Sequence, residues 1–195
     1  MTTTHIGEQI RVLGISGSLR RGSFNTALLR AAQELAPPEM DLRLFDLAKI
    51  PLYNGDVEAE GDPDPVTALK AAIRQADALL FATPEYNRGP SGALKNAIDW
   101  ASRDRGPGSL AGKPVTVIGA GGMTGTERAQ EQLLPILSET GALVMVKPGV
   151  QVSLFPEQKF DAGGRLVDET TRGLLRAHLG AFERWIDAYA ARAAA

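Results

Sequence analysis

"RVLGISGSLRRGSFN", residues 11–25, is the stretch that decides the fold. An almost continuous apolar run, residues 10–16, passes straight into a turn with two glycines, and the turn opens onto a helical stripe of Phe24, Leu28, Ala31 and Leu35. A strand that is apolar without alternation is covered on both faces, as in parallel sheets flanked by helices.

The same alternation of strand and helix continues outward from it. Residues 78–82 and 115–119 are further buried-strand runs. Residues 41–45 alternate instead, with Met40, Leu42 and Leu44 on one side and Asp41 and Arg43 on the other, which predicts a half-exposed edge strand. Residues 142–146 form a fifth run, and Val150, Val152 and Leu154 alternate in an extension of it. Helical stripes lie between: Val66, Leu69, Ile73 and Ala76, opened by Asp64 and Pro65; Leu94, Ile98 and Ala101; and Leu175, Leu179, Phe182, Ile186 and Tyr189 at the end. The spacing Thr124-x-x-Glu127 predicts a capping box for the remaining helix, which runs to about Gly141. Strict βα alternation predicts a five-stranded parallel sheet, ordered 2-1-3-4-5, between two helical layers, an αβα sandwich of the α/β class. The one long connection, "DLAKIPLYNGDVEAEGDPD" at residues 46–64, carries Ile50, Leu52 and Tyr53 and is too apolar to be merely solvated, so it packs on something.

At 195 residues the chain is expected to be one domain, residues 1–195, with a polar N-terminal tail at 1–9 and an alanine-rich tail at 190–195. The net charge is −2, and Lys and Arg are scattered among Asp and Glu, so no electrostatic footprint for nucleic acid or an anionic membrane is present. No apolar stretch approaches the roughly 20 residues of a membrane span, and the start has no signal-like apolar segment, which leads to the expectation of a soluble, cytoplasmic protein. Cysteine is absent, so disulfides, thiolate metal sites and a dithiol centre are excluded, and any electron chemistry belongs to a bound cofactor.

In an open α/β sheet the ligand sits beyond the carboxyl ends of the strands, where the strand order reverses; here that is between the first and third strands. Three loops meet there: "GSLRRGSFN" (residues 17–25), "TPEYNRGPSG" (83–92) and "GAGGMTG" (119–125). The first ends at a helix N-terminus, whose free N–H groups and positive dipole end favour an anion. Ser18, Ser23, Asn25 and Thr26 add neutral donors and Arg20 a full charge, a set suited to a terminal phosphate monoester. The G-x-G-x-x-G of dinucleotide binders and the lysine of a Walker loop are both missing. Local chemistry alone leaves a helix cap with incidental arginines as the alternative.

"GSLRRGSFN", then "IPLYN", "TPEYN", "GALKNAIDWASR" and "GTERAQEQL" in the same order, resembles the NADPH-dependent FMN reductase family, within it the bacterial quinone and chromate reductases of flavodoxin-like fold. The similarity runs from about Val12 to the last helix. It implies that Ser18, Leu19, Arg20, Ser23, Phe24 and Asn25 hold the phosphate of FMN, to which the local donor set adds Thr26. It also implies that Pro84, Glu85, Tyr86, Asn87 and Arg88 lie against the flavin ring, with Ala120, Gly121 and Gly122 beside them. Similar proteins often carry a serine or threonine where Ala120 stands, so a side-chain hydrogen bond is lost there and the N–H groups of Gly121 and Gly122 are left to serve.

The implied activity is hydride transfer from NADPH or NADH to bound FMN and on to a small acceptor, a quinone first and chromate, azo compounds or free flavin as others, in ping-pong order. No side chain is assigned as a catalytic acid or base, and no metal is expected. The resemblance also implies a homodimer or homotetramer. Two rivals share the fold: a flavodoxin-type electron carrier, which would be more acidic than this chain, and a flavin-free scaffold. His5 and His178 are read as structural, Lys95 and Asp99 as an i,i+4 pair on a solvated face or subunit contact beside Asn96 and Trp100, and Ser16 and Ser18 lack the partners of a hydrolase triad.

Overall fold

The computed structural model describes residues 9–104, 106 and 108–193. His5, most of the polar N-terminal tail and residues 194–195 of the alanine-rich tail lie outside the described residues.

Five strands, β1 (Ile10–Ser16), β2 (Met40–Phe45), β3 (Ala78–Ala82), β6 (Pro114–Ala120) and β7 (Leu143–Val152), form one sheet in the order β2-β1-β3-β6-β7. All four neighbouring pairs are parallel, in registers such as Val12↔Leu42, Gly14↔Leu80 and Phe81↔Val117. This is the topology the alternating pattern predicts, with the half-polar β2 at one edge. Side chains on each strand separate by the period of two. Ile10, Val12, Leu80, Ala82, Ile118 and Ala120 face α1 (Phe24–Leu35) and α6 (Glu169–Ala193). Leu13, Ile15, Leu79, Phe81, Val115 and Val117 face α3 (Asp64–Gln75), α4 (Gly92–Ala101) and α5 (Glu127–Glu139). Both layers therefore have their own core.

The alternating run after the fifth strand proves to be its direct continuation. β7 carries a register shift opposite Thr116 and Ile118, after which Val150 and Val152 pair with Ile118 and Ala120. Two elements escape the sequence reading: α2 (Gly55–Glu60), and a two-stranded hairpin of β4 (Glu85–Tyr86) and β5 (Gly89–Pro90). One expectation is overturned. The N-cap of α5 is Thr126 and makes no side-chain capping bond, so Thr124 and Glu127 do not form a capping box.

The long connection packs in part: Ile50 lies against the core and Tyr53 against α4, whereas Leu52, expected to pack with them, is 83% exposed. Asn96 Nδ2 and Trp100 Nε1 on α4 both donate to the Pro51 carbonyl, at 2.8 and 2.9 Å, and Asn96 Oδ1 accepts the Tyr53 N–H at 2.7 Å. The Tyr53 ring meets Trp100 edge-on with centroids 5.0 Å apart, and its hydroxyl donates to Glu58 of α2 at 2.7 Å. Farther along, the buried Lys70 ammonium donates to both oxygens of Asp62 and to the Arg103 carbonyl. Among the described residues no helix is long and apolar enough to cross a membrane.

Candidate functional site

Three loops leave the carboxyl ends of β1, β3 and β6, and hydrogen bonds lock them to one another. The Gly17 N–H donates to the Ala82 carbonyl at 2.8 Å, and the Gly17 carbonyl accepts the Ser91 hydroxyl at 2.5 Å. Ser91 in turn caps α4 by accepting the Leu94 N–H at 3.2 Å. The first loop is thereby fixed to the helix that follows the second.

At the start of α1 the Ser23 hydroxyl accepts the Thr26 N–H at 3.1 Å, and the Ser23 carbonyl accepts the Ala27 N–H at 2.9 Å. The helix cap is therefore real. A helix leaves its first four N–H groups without internal partners, and here the N–H groups of Phe24 and Asn25 have no acceptor among the described residues. Residues 16–27 contain no acid, so none beside the helix tip in sequence offsets its positive end. Arg20 and Arg21 are exposed, and neither guanidinium has a partner among the described residues. The cap leaves the tip of α1 accessible, so it does not by itself stand against an anion there.

The other first-loop side chains divide between scaffold and surface. Ser16 Oγ accepts the Ser18 N–H at 3.2 Å and the Thr26 hydroxyl at 2.9 Å. The Phe24 ring lies 5.0 Å from that of Phe160, on the flank of the core. Asn25 is buried: its Nδ2 donates to the Ala120 carbonyl and its Oδ1 accepts the Ala120 N–H, both at 2.9 Å. What Phe24 and Asn25 can offer a ligand is their backbone. Leu19 projects into solvent.

The second loop is the β4–β5 hairpin. Its two central residues, Asn87 and Arg88, have φ of 52° and 66°, the pair of positive angles that a type I′ turn requires. The hairpin is bolted to α5 at two points. Glu85 Oε2 accepts the Ala129 N–H at 3.2 Å, and the Arg88 carbonyl accepts Gln132 Nε2 at 2.7 Å. Glu85 thus supplies from a distance the side-chain capping bond that Thr126 does not make. Its carboxylate faces α5, which leaves its backbone for the site. Tyr86 is 52% exposed. The Asn87 amide and the Arg88 guanidinium have no partner among the described residues.

In the third loop the expected division of labour changes. The Gly121 N–H, anticipated as free, donates to the Val152 carbonyl at 3.1 Å, because β7 extends as far as the end of β6. The Ala120 N–H is held by Asn25, so Gly122 keeps the available N–H, while its carbonyl accepts the Leu154 N–H at 2.9 Å. Thr126, buried beneath this loop, has φ 73° and ψ 22°. A left-handed backbone costs an L-residue about 1–2 kcal/mol, and a β-branched one is a genuine outlier there. Ser91, Thr126, Gln130 and Gln132 support the loops and were missed in the sequence; only Ser91, an N-cap residue before a helical stripe, carried a local signal.

The remaining candidates stand apart. His178 is buried between α6 and the sheet, and Lys95 and Asp99 form an ion pair of 2.6 Å on the partly exposed face of α4. A groove of about 740 Å³ lies on the flank formed by β1, β2 and the end of α3. Its charged rim is already paired, Arg11 with Asp77 at 2.7 Å and Arg43 with Asp41 at 2.8 Å, and it lies along the first half of β1, not beyond its carboxyl end.

A doubly wound parallel sheet whose reversal point gathers a helix tip without adjacent acids, a pair of exposed arginines and an Asn-bearing hairpin defines a flavodoxin-like protein. The sequence profile of the NADPH-dependent FMN reductases matches residues 10–157. An NAD(P)H-dependent FMN reductase of Pseudomonas aeruginosa is 48% identical over 93% of this chain and 97% of the relative. A quinone reductase of Escherichia coli K12 is 40% identical over 93% of this chain and 97% of that protein. Among solved structures, the flavoenzyme NAD(P)H:(acceptor) oxidoreductase FerB of Paracoccus denitrificans superposes with a TM-score of 0.83 at 37% identity, over 92% of this chain and 98% of that one. The chain belongs to the NADPH-dependent FMN reductase family. It is an NAD(P)H-dependent oxidoreductase with FMN as its cofactor.

Proposed function

We propose that this chain is a cytoplasmic quinone reductase that works in ping-pong order, with NAD(P)H and the quinone taking turns at one open site. The observation that carries the proposal is the first loop, which has no acid, and in which N–H groups at the tip of α1 and two arginines have no partner among the described residues. FMN held there would supply the two-electron chemistry that links NAD(P)H to the acceptor.

The chain's own groups hold, orient and shield. Arg20, the Ser18 hydroxyl and the N–H groups of the loop and of Phe24 and Asn25 take the phosphate. Ser23 and Thr26 keep that tip in shape through the cap and the bond to Ser16. Pro84, Glu85, Tyr86, Asn87 and Arg88 border the ring on one side, with the Asn87 amide free to meet its polar edge. Ala120, Gly121 and Gly122 border it on the other, Gly122 offering an N–H. Because the Glu85 carboxylate is tied to α5, no acid crowds the phosphate or the ring from this hairpin.

The site end of the sheet also carries unpartnered apolar side chains. Leu52, fixed between the anchored Pro51 and Tyr53, is 83% exposed, and Met123 of the third loop is 81% exposed. Such exposure in one region suits self-association, and the proposal includes a homodimer or homotetramer. Light scattering at micromolar concentration that gives the monomer mass would remove that part.

The activity is tested by anaerobic titration of the FMN-loaded protein with NADPH and with NADH, followed by addition of a benzoquinone. The visible flavin band is expected to bleach with the nucleotide and return with the quinone. A band that NAD(P)H leaves untouched but dithionite bleaches would identify an electron carrier instead.

A further inference from the structure

We propose that Thr126 is a positioning residue for FMN: its side chain acts as a wedge beneath the third loop and sets the distance between that loop and the phosphate loop. Among the described residues three other than glycine have positive φ, namely Asn87, Arg88 and Thr126. The first two are accounted for by the hairpin turn. Thr126 belongs to no hairpin, and a threonine that served as a helix cap would have extended backbone and a hydroxyl accepting from the first turn. It has neither, and Glu85 does that work instead.

The environment of the side chain shows what holds it there. A β-carbon placed on Gly119 would overlap Thr126 Oγ1, and one on Gly121 would lie 2.9 Å from Thr126 Cγ2. The threonine therefore fills the space that two glycines leave open on the underside of the β6 end. Its hydroxyl accepts Gln130 Nε2 at 3.1 Å, and Gln130 also donates to the Val150 carbonyl at 3.0 Å, so the wedge is itself braced against β7. Between Gly119 and Gly121 sits Ala120, whose N–H and carbonyl are both held by Asn25 of the first turn of α1. The contacts run without a gap from Thr126 through Gly119, Ala120 and Gly121 to the helix tip proposed for the phosphate. A strained backbone persists where its surroundings over-determine it, and such residues gather at ligand sites. Here the strain keeps a rigid, branched side chain under the loop, where glycine would leave a void.

The inference rests on FMN being the cofactor, and the test separates the two. The apoprotein, Thr126→Gly and Thr126→Val are titrated with FMN by fluorescence, and the visible circular dichroism of the bound flavin is recorded with far-ultraviolet spectra and melting curves. Thr126→Gly frees the backbone and removes the wedge. It is expected to weaken FMN binding by about three- to thirtyfold and to change the visible dichroism, with the fold retained. Thr126→Val keeps the branched shape and loses only the hydroxyl, and is expected to bind FMN within about threefold of the parent, with its dichroic spectrum. Should the glycine variant not fold, Thr126→Ser, which loses only the methyl that faces Gly121, gives the same reading in smaller measure. Wild-type affinity and spectrum in the glycine variant overturn the inference, as does an equal loss in the valine variant. A parent protein that takes up no FMN overturns the cofactor assignment itself.

Discussion

The side-chain amide of Asn25 grips the backbone of Ala120 from both sides, donating to its carbonyl and accepting its N–H at 2.9 Å each. One buried residue thereby joins the first turn of α1 to the end of β6, and so sets the phosphate loop against the third loop. Replacing Asn25 with Ala leaves a buried N–H and a buried carbonyl unsatisfied, at about 1–3 kcal/mol apiece. Asn25→Ala is therefore expected to lose at least about 2 kcal/mol in urea denaturation of the apoprotein and to bind FMN less tightly. An unchanged midpoint and slope would show that water or a shifted loop satisfies both groups.

Arg20 has no partner among the described residues, so a phosphate has no acid among them to displace. Charge-assisted hydrogen bonds contribute on the order of 1.5–3 kcal/mol, which puts the expected loss for Arg20→Ala at about ten- to a hundredfold in FMN affinity. Riboflavin has the same ring without the phosphate. It is expected to bind parent and variant equally weakly, and FAD, a diester, to bind both poorly. Fluorescence titration with all three flavins measures this, and equal FMN affinities in the two proteins would place the phosphate elsewhere.

The sheet was legible because its central strands are apolar without alternation and β2 alternates, which assigns interior and edge by burial alone. What stayed hidden was tertiary. α2 buries no residue of its own and is held through Tyr53, Glu58 and Arg103, so it carries no stripe to read. The α5 cap comes from Glu85, far away in sequence, whereas the local Thr124-x-x-Glu127 pattern makes no box. The loops that gather at the site could be named from the sequence. Which of their groups are engaged could not, because Asn25 with Ala120, and Gly121 with Val152, meet only once the strands are ordered.

Asn87 combines two properties that substitution can separate. Its φ of 52° suits Asn or Gly, and its amide has no partner among the described residues. Asn87→Gly keeps the turn and removes the amide. Losing one hydrogen bond of about 1 kcal/mol is expected to lower kcat/KM for the quinone by about fivefold, with FMN affinity held within about threefold by the untouched phosphate anchor. Steady-state kinetics beside an FMN titration decides it: loss of flavin with normal turnover at saturating FMN would move this loop away from the ring.

His178 gives the fold a pH dependence whose sign can be worked out. Its Nδ1 lies 2.6 Å from the Pro148 carbonyl, which can only accept, so Nδ1 carries the proton; Nε2 lies 3.3 Å from the Thr116 hydroxyl. Burial pushes the imidazole below its ordinary value of 6.5, and the bond to Pro148 offsets part of that. With the folded value lower than the unfolded one, the unfolded chain takes up the proton more readily. The contribution to stability is complete above about pH 6.5 and is lost as the pH falls from there toward the folded value, by up to about 1.4 kcal/mol per pH unit. His178→Gln keeps a polar side chain in the same place and cannot titrate. It is expected to be less stable than the parent at neutral pH, with the difference shrinking as the solution is acidified to about pH 5, because carboxylates titrate alike in both and cancel. Denaturant melts of the two apoproteins across that range give the difference directly, and parallel curves would mean that His178 holds its proton as readily in the folded state as in the unfolded chain.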